Sequence, residues 1–459
     1  MFRKLGFLAA MLVVVLAAGT VTGQADTGGR RSYTGTIDGA DYRVEVPDRW
    51  NGTLVLFSHP YYPEGLPAFG IGLSLRAETE TWLLGHGYAL AGSDFQGRTG
   101  AVYDRAPVDQ LALLDWFDSN VGHPRRTVAS GQSMGAALSV LLAERNPGRF
   151  DGVLAMCGPL DLNGSWNISL DVTFAISTLL APGQDIELVR PSDPAGSAAA
   201  LRAAVAQALT TPAGRARLAL AGAVGNVPDW YSAHQPRPTA LVDRIQALAA
   251  AADVYVSTFG PTGRVDLERR AGGNPSWNIG IDYRHQFARS AGRDLVAEAY
   301  RAAGLDLDAD LNRLGGAPRI APDPAALGWM YRFGVPRGST PVPVLTLHNT
   351  ADVAGPDHER WYAGQVARHG DPARLRQLFV GRATHCAFSA AEEIVALRTL
   401  LTRIEAGSWP NTAPGRLNSA AVGLGADFQL VFDFPTFVDA PRPPAFTAMH
   451  PPVFLRPST

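Results

Sequence analysis

The chain has 459 residues, with 40 lysines and arginines against 42 acidic residues and a formal net charge of −2 at pH 7. This length exceeds what one compact core accommodates, so we expect a domain with a large insertion or two domains. The near balance of charge, without basic clusters, argues against a nucleic-acid partner. Lys4, in a segment that we expect to be removed, is the only lysine, which excludes Schiff-base and pyridoxal chemistry, a Ser-Lys dyad and a P-loop.

The N-terminal segment predicts export. Arg3 and Lys4 precede an apolar run over residues 5–21, and small and polar residues follow as far as Ala25. This order is typical of a signal peptide, here residues 1–25, and predicts a secreted, extracellular protein. The alternative is an uncleaved membrane anchor, for which the run is close to the shortest length that spans a bilayer. No later run is long enough for a transmembrane helix, so we expect no stable membrane association after cleavage.

Strand and helix signals alternate over residues 26–159. Two β-patterned runs flank Asp38-Gly39, a dipeptide typical of a hairpin turn. Further apolar runs predict strands that are buried on both faces, and one segment has helical spacing. Buried strands that alternate with helices imply a parallel sheet. The predicted strands are 33–37, 41–46, 53–58, 88–93 and 152–156, and the predicted helix is 108–121.

The motif G-Q-S-M-G at residues 131–135, with Ser133 at its centre, lies between a strand signal and a helix signal. An apolar run over residues 126–130 leads in, and residues 136–145 follow with helical apolar spacing. Such a turn brings the strand and helix backbones together, so only small residues fit at its flanks and the central residue takes strained dihedral angles. The pattern predicts a serine oxygen exposed beside a helix N-terminus.

Three segments follow the first half of the predicted core. Residues 160–337 form long Ala- and Leu-rich helical stretches, which we interpret as a mostly helical insertion. Sheet signals resume over residues 338–406, and residues 407–459 are a Pro-rich C-terminal extension whose role the pattern leaves open. The predicted elements are helices at 198–209, 215–223, 240–252, 292–303 and 390–406, and strands at 342–348, 375–380 and 428–432.

A catalytic serine needs a base, normally a histidine that a carboxylate orients. His385 follows the second of the two late strands through a short loop, and Asp352 likewise follows the first. Open parallel sheets place their ligands at the carboxyl ends of the strands. Ser133, Asp352 and His385 are therefore expected in three loops at one edge of the sheet. Asp357, five residues beyond Asp352, is an alternative acid.

With a G-x-S-x-G turn, an acid after a late strand and a histidine after the last one, in this order, the chain resembles the α/β-hydrolase superfamily. The resemblance implies a mostly parallel central sheet flanked by helices. It places residues 160–337 where this family often carries a lid, as a mainly helical cap after the strand that follows the nucleophile helix. The implied roles are nucleophile for Ser133, general acid and base for His385, and orienting acid for Asp352.

The oxyanion formed in acyl transfer needs two hydrogen-bond donors. The family resemblance implies the backbone N–H of Met134 as one donor and an N–H from the loop after the strand at 53–58 as the other. This loop departs from the common His-Gly arrangement, because Pro60 replaces the glycine and has no N–H. Tyr61 is therefore the expected second donor, through its backbone, with Tyr62 as the next candidate. We interpret His59 as a buried residue that shapes the loop.

The two cysteines are expected at the same edge of the sheet, because Cys386 directly follows His385 and Cys157 ends the strand after the helix that follows Ser133. Export permits a disulfide between them, which would anchor the histidine loop, whereas two free buried thiols are the alternative. We expect no metal and no other cofactor. The charged run at 357–359 is interpreted as a solvated helix start rather than a ligand set.

These features predict a secreted serine hydrolase that cleaves small-molecule or polymeric carboxylic esters through an acyl-enzyme. An aromatic-rich cap favours substrates with an apolar or aromatic moiety. The candidate substrate contacts are Tyr62, Trp230 and Trp277.

Two other functions compete with this prediction. A serine peptidase of the aminopeptidase or prolyl-peptidase kind would use the same triad and would need an acidic pair in the cap to hold an amino group. No convincing pair is evident, and the candidates are Asp229, Asp253 and Glu268. A protein retained only for binding is disfavoured by the complete Ser-Asp-His set, although fold alone does not settle function.

Overall fold

The computed structural model describes residues 22–26, 29–65 and 70–458 of the chain. The predicted signal peptide, residues 1–25, lies outside the described residues except for its last four, which belong to a short strand. No helix in the described part of the chain is long and apolar enough to cross a lipid bilayer.

Strands and helices occur on both sides of a long helical segment in the middle of the chain. The strands are β1 (Thr22–Asp26), β2 (Arg30–Ile37), β3 (Ala40–Pro47), β4 (Thr53–Ser58), β5 (Ala89–Ser93), β6 (Arg126–Gln132), β7 (Gly152–Met156), β8 (Val344–Ala351), β9 (Leu375–Ala383), β10 (Leu430–Asp433), β11 (Val438–Pro441) and β12 (Phe446–Thr447). The α-helices are α1 (Ala77–Gly85), α2 (Ala106–Asn120), α3 (Met134–Arg145), α4 (Leu162–Leu180), α5 (Pro194–Ala208), α6 (Pro212–Ala223), α7 (Leu241–Ser257), α8 (Pro261–Ala271), α9 (Tyr283–Ala288), α10 (Arg293–Ala303), α11 (Leu307–Gly316), α12 (Pro324–Gly334), α13 (Asp357–His369), α14 (Ala390–Ala406) and α15 (Pro414–Val422), with short 3₁₀ helices at Pro372–Arg374 and Ala426–Phe428.

Among the described residues, ten strands form one central sheet in the order β1-β2-β3-β5-β4-β6-β7-β8-β9-β12. The six strands from β5 to β9 in this order run parallel to one another. The edges are antiparallel, with the β2–β3 hairpin at one side and β12 against β9 at the other. The mostly parallel sheet predicted from the sequence is therefore confirmed.

Apolar residues fill both faces of the sheet. Along β4, Leu54 and Leu56 belong to one hydrophobic core, whereas Val55 and Phe57 belong to a second. Successive side chains of a strand point to opposite faces, so a continuous apolar run needs cover on both sides. Helices of the core cover both faces, so apolar residues occupy successive positions of β4 and do not alternate with polar ones.

Nine helices, α4 to α12, fill the whole segment between β7 and β8, which is described throughout and contains no strand. Helix α4 forms the centre of this cap, since most of its 19 residues are buried and it packs against α5, α6 and α7. Its first turn is capped by Asp161, whose carboxylate accepts the N–H of Gly164 at 2.8 Å. The mainly helical insertion predicted at this point of the chain is confirmed.

The C-terminal extension contacts both the core and the cap. Strand β12 pairs with β9 at the edge of the sheet, while β10 and β11 form a separate hairpin. The chain then crosses to the cap, where Arg456 forms a buried ion pair with Asp171 of α4, with Nη1 and Oδ2 2.6 Å apart. Ser458 donates its N–H to Asp161 at 2.6 Å. The extension thus ties the cap to the core.

Candidate active site

Ser133 occupies the sharp turn between β6 and α3. Its φ is 55° and its ψ is −121°, a conformation that a residue other than glycine keeps only when its surroundings hold it. The Ser133 N–H donates to the carbonyl of Met156 at 2.9 Å, which fixes the turn against β7. A Cβ atom added to Gly131 or Gly135 would come within 3.0 Å of a backbone carbonyl oxygen. The close approach of strand and helix therefore requires both glycines.

The side chains of Ser133, His385 and Asp352 form a continuous hydrogen-bonded chain. Oγ of Ser133 lies 2.8 Å from Nε2 of His385, and Nδ1 of His385 lies 2.7 Å from Oδ1 of Asp352. Because a carboxylate only accepts, Nδ1–H donates to Asp352 and Nε2 is left to accept the serine proton. The alternative acid, Asp357, faces elsewhere and accepts from the side chain of Asn226 at 2.9 Å.

Asp352 is fully buried and accepts several hydrogen bonds. Its Oδ1 also accepts the N–H of Ala354 at 2.8 Å, and its Oδ2 accepts the N–H of Cys386 at 3.4 Å. Burial by itself raises the pKa of the Asp352 carboxyl, but the charge and hydrogen bond of His385, together with the charge of His348, outweigh it. The pKa of Asp352 therefore lies below its ordinary value, and the group is a carboxylate at neutral pH.

The loop that carries His385 is held at two points. A disulfide joins Cys386 to Cys157 at the end of β7, with the two Cα atoms 5.2 Å apart, so the predicted bond is present. The side chain of Asn349, on β8, accepts the N–H of Ala387 at 2.9 Å and donates to its carbonyl at 3.3 Å. These contacts fix the histidine relative to β7 and β8.

The loop after β4 lies against the start of α3. The buried ring of His59 has its Nδ1 2.7 Å from the carbonyl of Pro60 and stacks on Tyr62, with ring centres 4.5 Å apart. Burial lowers the pKa of His59 to about 4, so the ring is neutral and shapes the loop. Tyr61 follows in the same loop, and Met134 is the first residue of α3, where an N–H has no acceptor within the helix.

Aromatic side chains from the cap pack beside the nucleophile turn. Met134 belongs to a hydrophobic cluster that contains Trp166 of α4, and Tyr61 and Phe259 pack against it. The ring of Phe259 lies 5.3 Å from that of Tyr61 and 5.3 Å from that of Trp166. Core and cap thus build an apolar, aromatic wall next to Ser133.

A cavity of about 410 Å³ lies between the cap, the core and the C-terminal extension. Its wall includes Trp230 from the cap, Asp352 from the core and His450 from the extension, but neither Ser133 nor His385. The cavity therefore approaches the triad from the side of the acid.

The three predicted substrate contacts lie in different places. Trp230 lines the cavity beside Asp352, and Tyr62 packs on the loop after β4. Trp277 is not part of the cavity wall. The guanidinium of Arg456 covers it, 5.5 Å from the ring centre.

The charged run at 357–359 begins α13 and is buried, so the prediction of a solvated helix start is wrong. Its three residues are only 1% to 3% exposed. Nδ1 of His358 accepts the N–H of Asp161 at 3.2 Å, and its Nε2 lies 3.0 Å from Oγ of Ser165. Burial lowers the pKa of His358 to about 3, so the ring is neutral. The cap covers His358 and the core strands cover Glu359, and local charge could not reveal these contacts.

One group of potential metal ligands occurs among the described residues, formed by Cys157, His385 and Cys386, with ligand atoms within 4.8 Å of one another. The two sulfurs are bonded to each other and are therefore not thiolates, which are the form that binds metals. Both nitrogens of His385 are already engaged by the triad. This group does not form a metal site.

Two polar residues that support the site were not anticipated. Gln110 of α2 is buried and donates to the carbonyl of Phe57 at 2.8 Å and to Oγ of Ser58 at 2.9 Å, which holds the end of β4. His348 of β8 is buried beside Asp352. The available signal was a polar residue within an apolar strand or helix, since buried polar groups are retained where they have partners.

The chain is similar to several known proteins. The Esterase family model, described as "Putative esterase", matches residues 108–234, which include the nucleophile turn. An o-phthalyl amidase of Xanthobacter agilis is 32% identical over 423 residues, which cover 84% of this chain and 89% of that protein. An esterase structure from Pyrococcus furiosus is 11% identical with a TM-score of 0.35, covering 85% of this chain and 92% of its own. An esterase structure from Aspergillus oryzae is 16% identical with a TM-score of 0.38, and the match covers 83% of this chain and 80% of that one.

The mostly parallel sheet and the nucleophile turn at Ser133 define the α/β-hydrolase class. Within this class, the identity with the Xanthobacter protein over most of both chains shows that the chain belongs to the α/β-hydrolase esterase family. It is a serine hydrolase of that family.

Proposed function

We propose that the protein hydrolyses carboxylic acid derivatives by transferring the acyl group first to Ser133 and then to water. The observation that supports this is the unbroken hydrogen-bonded chain from Ser133 through His385 to Asp352, with contacts of 2.8 and 2.7 Å. His385 takes the serine proton as Oγ attacks the carbonyl carbon, and gives it to the leaving alcohol or amine. Water, activated by the same histidine, then releases the acid.

The negative charge that develops on the carbonyl oxygen needs donors that are already in place. We assign this role to the backbone N–H groups of Met134 and Tyr61. The loop that carries Tyr61 packs on the first turn of α3, where Met134 lies. Gln110 and His59 hold this loop, so the donors would be oriented before substrate binds.

We further propose that the preferred acyl group is aromatic or apolar. The wall formed by Tyr61, Phe259 and Trp166 beside the nucleophile turn supports this preference. The name of the Xanthobacter relative, an o-phthalyl amidase, also points to an aromatic acyl group. Small-molecule esters and amides are therefore the substrates to test first.

Ester and amide hydrolysis are both candidates for the preferred reaction. An amide has the poorer leaving group, and two of the three acids that could grip a substrate amino group are engaged. Asp229 pairs with Arg237 at 2.9 Å and with Arg244 at 2.7 Å, and Glu268 accepts the N–H of Arg190 at 2.9 Å. This disfavours an aminopeptidase and supports esters, whereas the name of the relative supports aromatic amides.

Matched substrate pairs test this choice. Purified protein would be assayed on p-nitrophenyl benzoate and benzoyl-p-nitroanilide, on p-nitrophenyl acetate, and on an o-phthalyl amide. We expect the benzoate ester to react at least about a hundredfold faster than its anilide, a difference of about 2.7 kcal/mol in the barrier. A faster o-phthalyl amide would instead establish the amidase. Turnover of an aminoacyl anilide but not of its N-acetylated form would indicate the peptidase.

We also propose that the protein is secreted by means of residues 1–25. The order of basic, apolar and small residues supports this. Expression in a bacterium with N-terminal sequencing of the protein in the medium should give a mature chain that starts at Asp26. An intact Met1 in a membrane fraction would contradict the proposal.

A further inference from the structure

His348 is fully buried next to the acid of the triad. Its Nδ1 lies 3.1 Å from Oε1 of Glu359, and its Nε2 lies 3.9 Å from Oδ2 of Asp352. Oδ1 of the same Asp352 faces His385. The two carboxylate oxygens of Asp352 thus face two different histidines.

The neighbours of His348 favour a protonated ring. Oε2 of Glu359 accepts from the hydroxyl of Thr346 and from the amide of Gln377, so Glu359 acts as an acceptor on both oxygens. Asp352 is a carboxylate and also only accepts. A neutral imidazole would direct one lone pair at a carboxylate. Only the imidazolium presents an N–H to each neighbour.

The charged and titratable groups around His348 come from two parts of the fold. Asp352 follows β8, while Asp357, His358 and Glu359 lie on α13; β9 contributes the uncharged Gln377. Burial by itself lowers the pKa of His348, but its hydrogen bond to Glu359 and the charges of Asp352, Glu359 and Asp357 outweigh it and hold the pKa above its ordinary value. His358 stays neutral because burial lowers its pKa to about 3.

We propose that His348 is a positioning residue for hydrolysis, an imidazolium between Glu359 and Asp352 that keeps the Asp352 carboxylate ionised and directed at His385. Without this cation, the two buried carboxylates would face each other across an uncharged side chain, and one of them would tend to take up a proton. A protonated Asp352 could not stabilise the imidazolium of His385 that forms during acyl transfer. The inference rests on the proposed function, since it assigns His348 a part in the same reaction.

The test uses His348→Gln, which keeps a donor near the Nε2 position but removes the charge. We expect kcat to fall roughly 10- to 100-fold with little change in KM, because the loss affects the orienting acid rather than substrate contacts. Loss of the positive charge of His348 makes it easier to add a proton to the Asp352–His385 pair and so raises the pKa of this step. The acidic limb of the pH profile of kcat/KM should therefore move to higher pH, by roughly one unit.

The matched control is His358→Gln, which removes another buried histidine from the same region. His358 contacts Asp161 and Ser165 rather than the triad, so this variant should lose stability but keep the wild-type pH profile. A double variant that combines His348→Gln with Glu359→Gln should lose no more activity than His348→Gln alone. The reason is that Glu359 acts on Asp352 only through the charge of His348. An unmoved pH profile in a folded His348→Gln protein would overturn the proposal.

Neutron diffraction of the deuterated wild-type protein near pH 7 provides a test that does not depend on a variant folding. Deuterium should occupy both ring nitrogens of His348 and only Nε2 of His358. A singly labelled His348 ring would overturn the inference. Fluorophosphonate labelling of wild-type Ser133 separates this inference from the proposed function: failure to label refutes the function, whereas normal labelling with a neutral His348 refutes only the inference.

Discussion

The core edge and the cap are held in place by different kinds of contact. At the core edge, Ser133 and Asp352 directly follow β6 and β8, His385 lies two residues beyond the end of β9, and a disulfide fixes the histidine loop to β7. These constraints come from a few backbone positions that the sheet itself aligns. Small displacements there would change hydrogen bonds of 2.7 and 2.8 Å on which the proposed chemistry depends.

The cap has no such scaffold and depends on contacts between residues that are distant in the chain. Its central helix α4 is held by the C-terminal extension, through the pairs Asp171–Arg456 and Asp161–Ser458. Changes at the core edge should therefore act on kcat, whereas changes in the cap should act on stability or on KM. Five substitutions or treatments test this division.

Replacement of the nucleophile should have the largest effect. Ser133→Ala removes the attacking oxygen, and the loss in kcat should be on the order of a millionfold, because only binding and the oxyanion donors remain. The fold should persist, as checked by circular dichroism. A fluorophosphonate probe with peptide mapping should label Ser133 in the wild type, and a label on another serine would refute the assignment.

The two aspartates that follow β8 should differ sharply. Asp352→Asn should lower kcat about ten-thousandfold, since an amide no longer fixes the imidazole tautomer. Asp357→Asn, the matched control, changes a carboxyl that faces Asn226 and should leave the chemical step nearly intact. Steady-state kinetics of both variants provide the measurement, and equal losses would show that neither acid orients the histidine.

The ion pair between the extension and the cap should contribute strongly to stability. Arg456→Ala leaves Asp171 buried without its cation, which costs about 3–5 kcal/mol. Arg416, an exposed arginine of the same extension, offers a control whose replacement by alanine should be nearly neutral. Chemical denaturation measures the stability of both variants. Similar midpoints for the two variants would mean that the extension does not hold the cap.

The disulfide should contribute somewhat less to the free energy of unfolding than this ion pair, about 2–4 kcal/mol. Reduction, or the change of Cys157 and Cys386 to serine, should lower the denaturation midpoint. Activity should fall as well, because Cys386 adjoins His385 and donates its N–H to Asp352. Intact mass after alkylation under denaturing, non-reducing conditions checks the bond. Two alkylated thiols would show that it is absent from the protein in solution.

The smallest effect concerns substrate preference. Trp230 lines the cavity beside Asp352, so Trp230→Ala should raise KM for a bulky aromatic ester about tenfold, or about 1.4 kcal/mol, and KM for an acetate ester less. Trp277→Ala is the matched control, because Arg456 covers that ring outside the cavity. Equal changes in KM for the two variants would show that the cavity does not bind the substrate.

Much of the core followed from local pattern. The strand at 53–58 and the helix at 390–406 have the predicted bounds, because apolar runs and a capping box that links Ser389 to Glu392 are local signals. The burial of helix α13 was not predicted, since its charged first turn has the composition of a surface helix and is covered by the cap, the core strands and the C-terminal extension together.

By itself, the sequence determined the order of the elements and the selection of Ser133, Asp352 and His385 as the candidate triad. Strand ends and a turn that tolerates only glycine are properties of a few adjacent residues. Only the tertiary structure decided between Asp352 and Asp357, paired two cysteines 229 residues apart and placed His348 behind the acid. These outcomes depend on contacts between segments that are distant in the chain, and a local pattern carries no information about which of them meet.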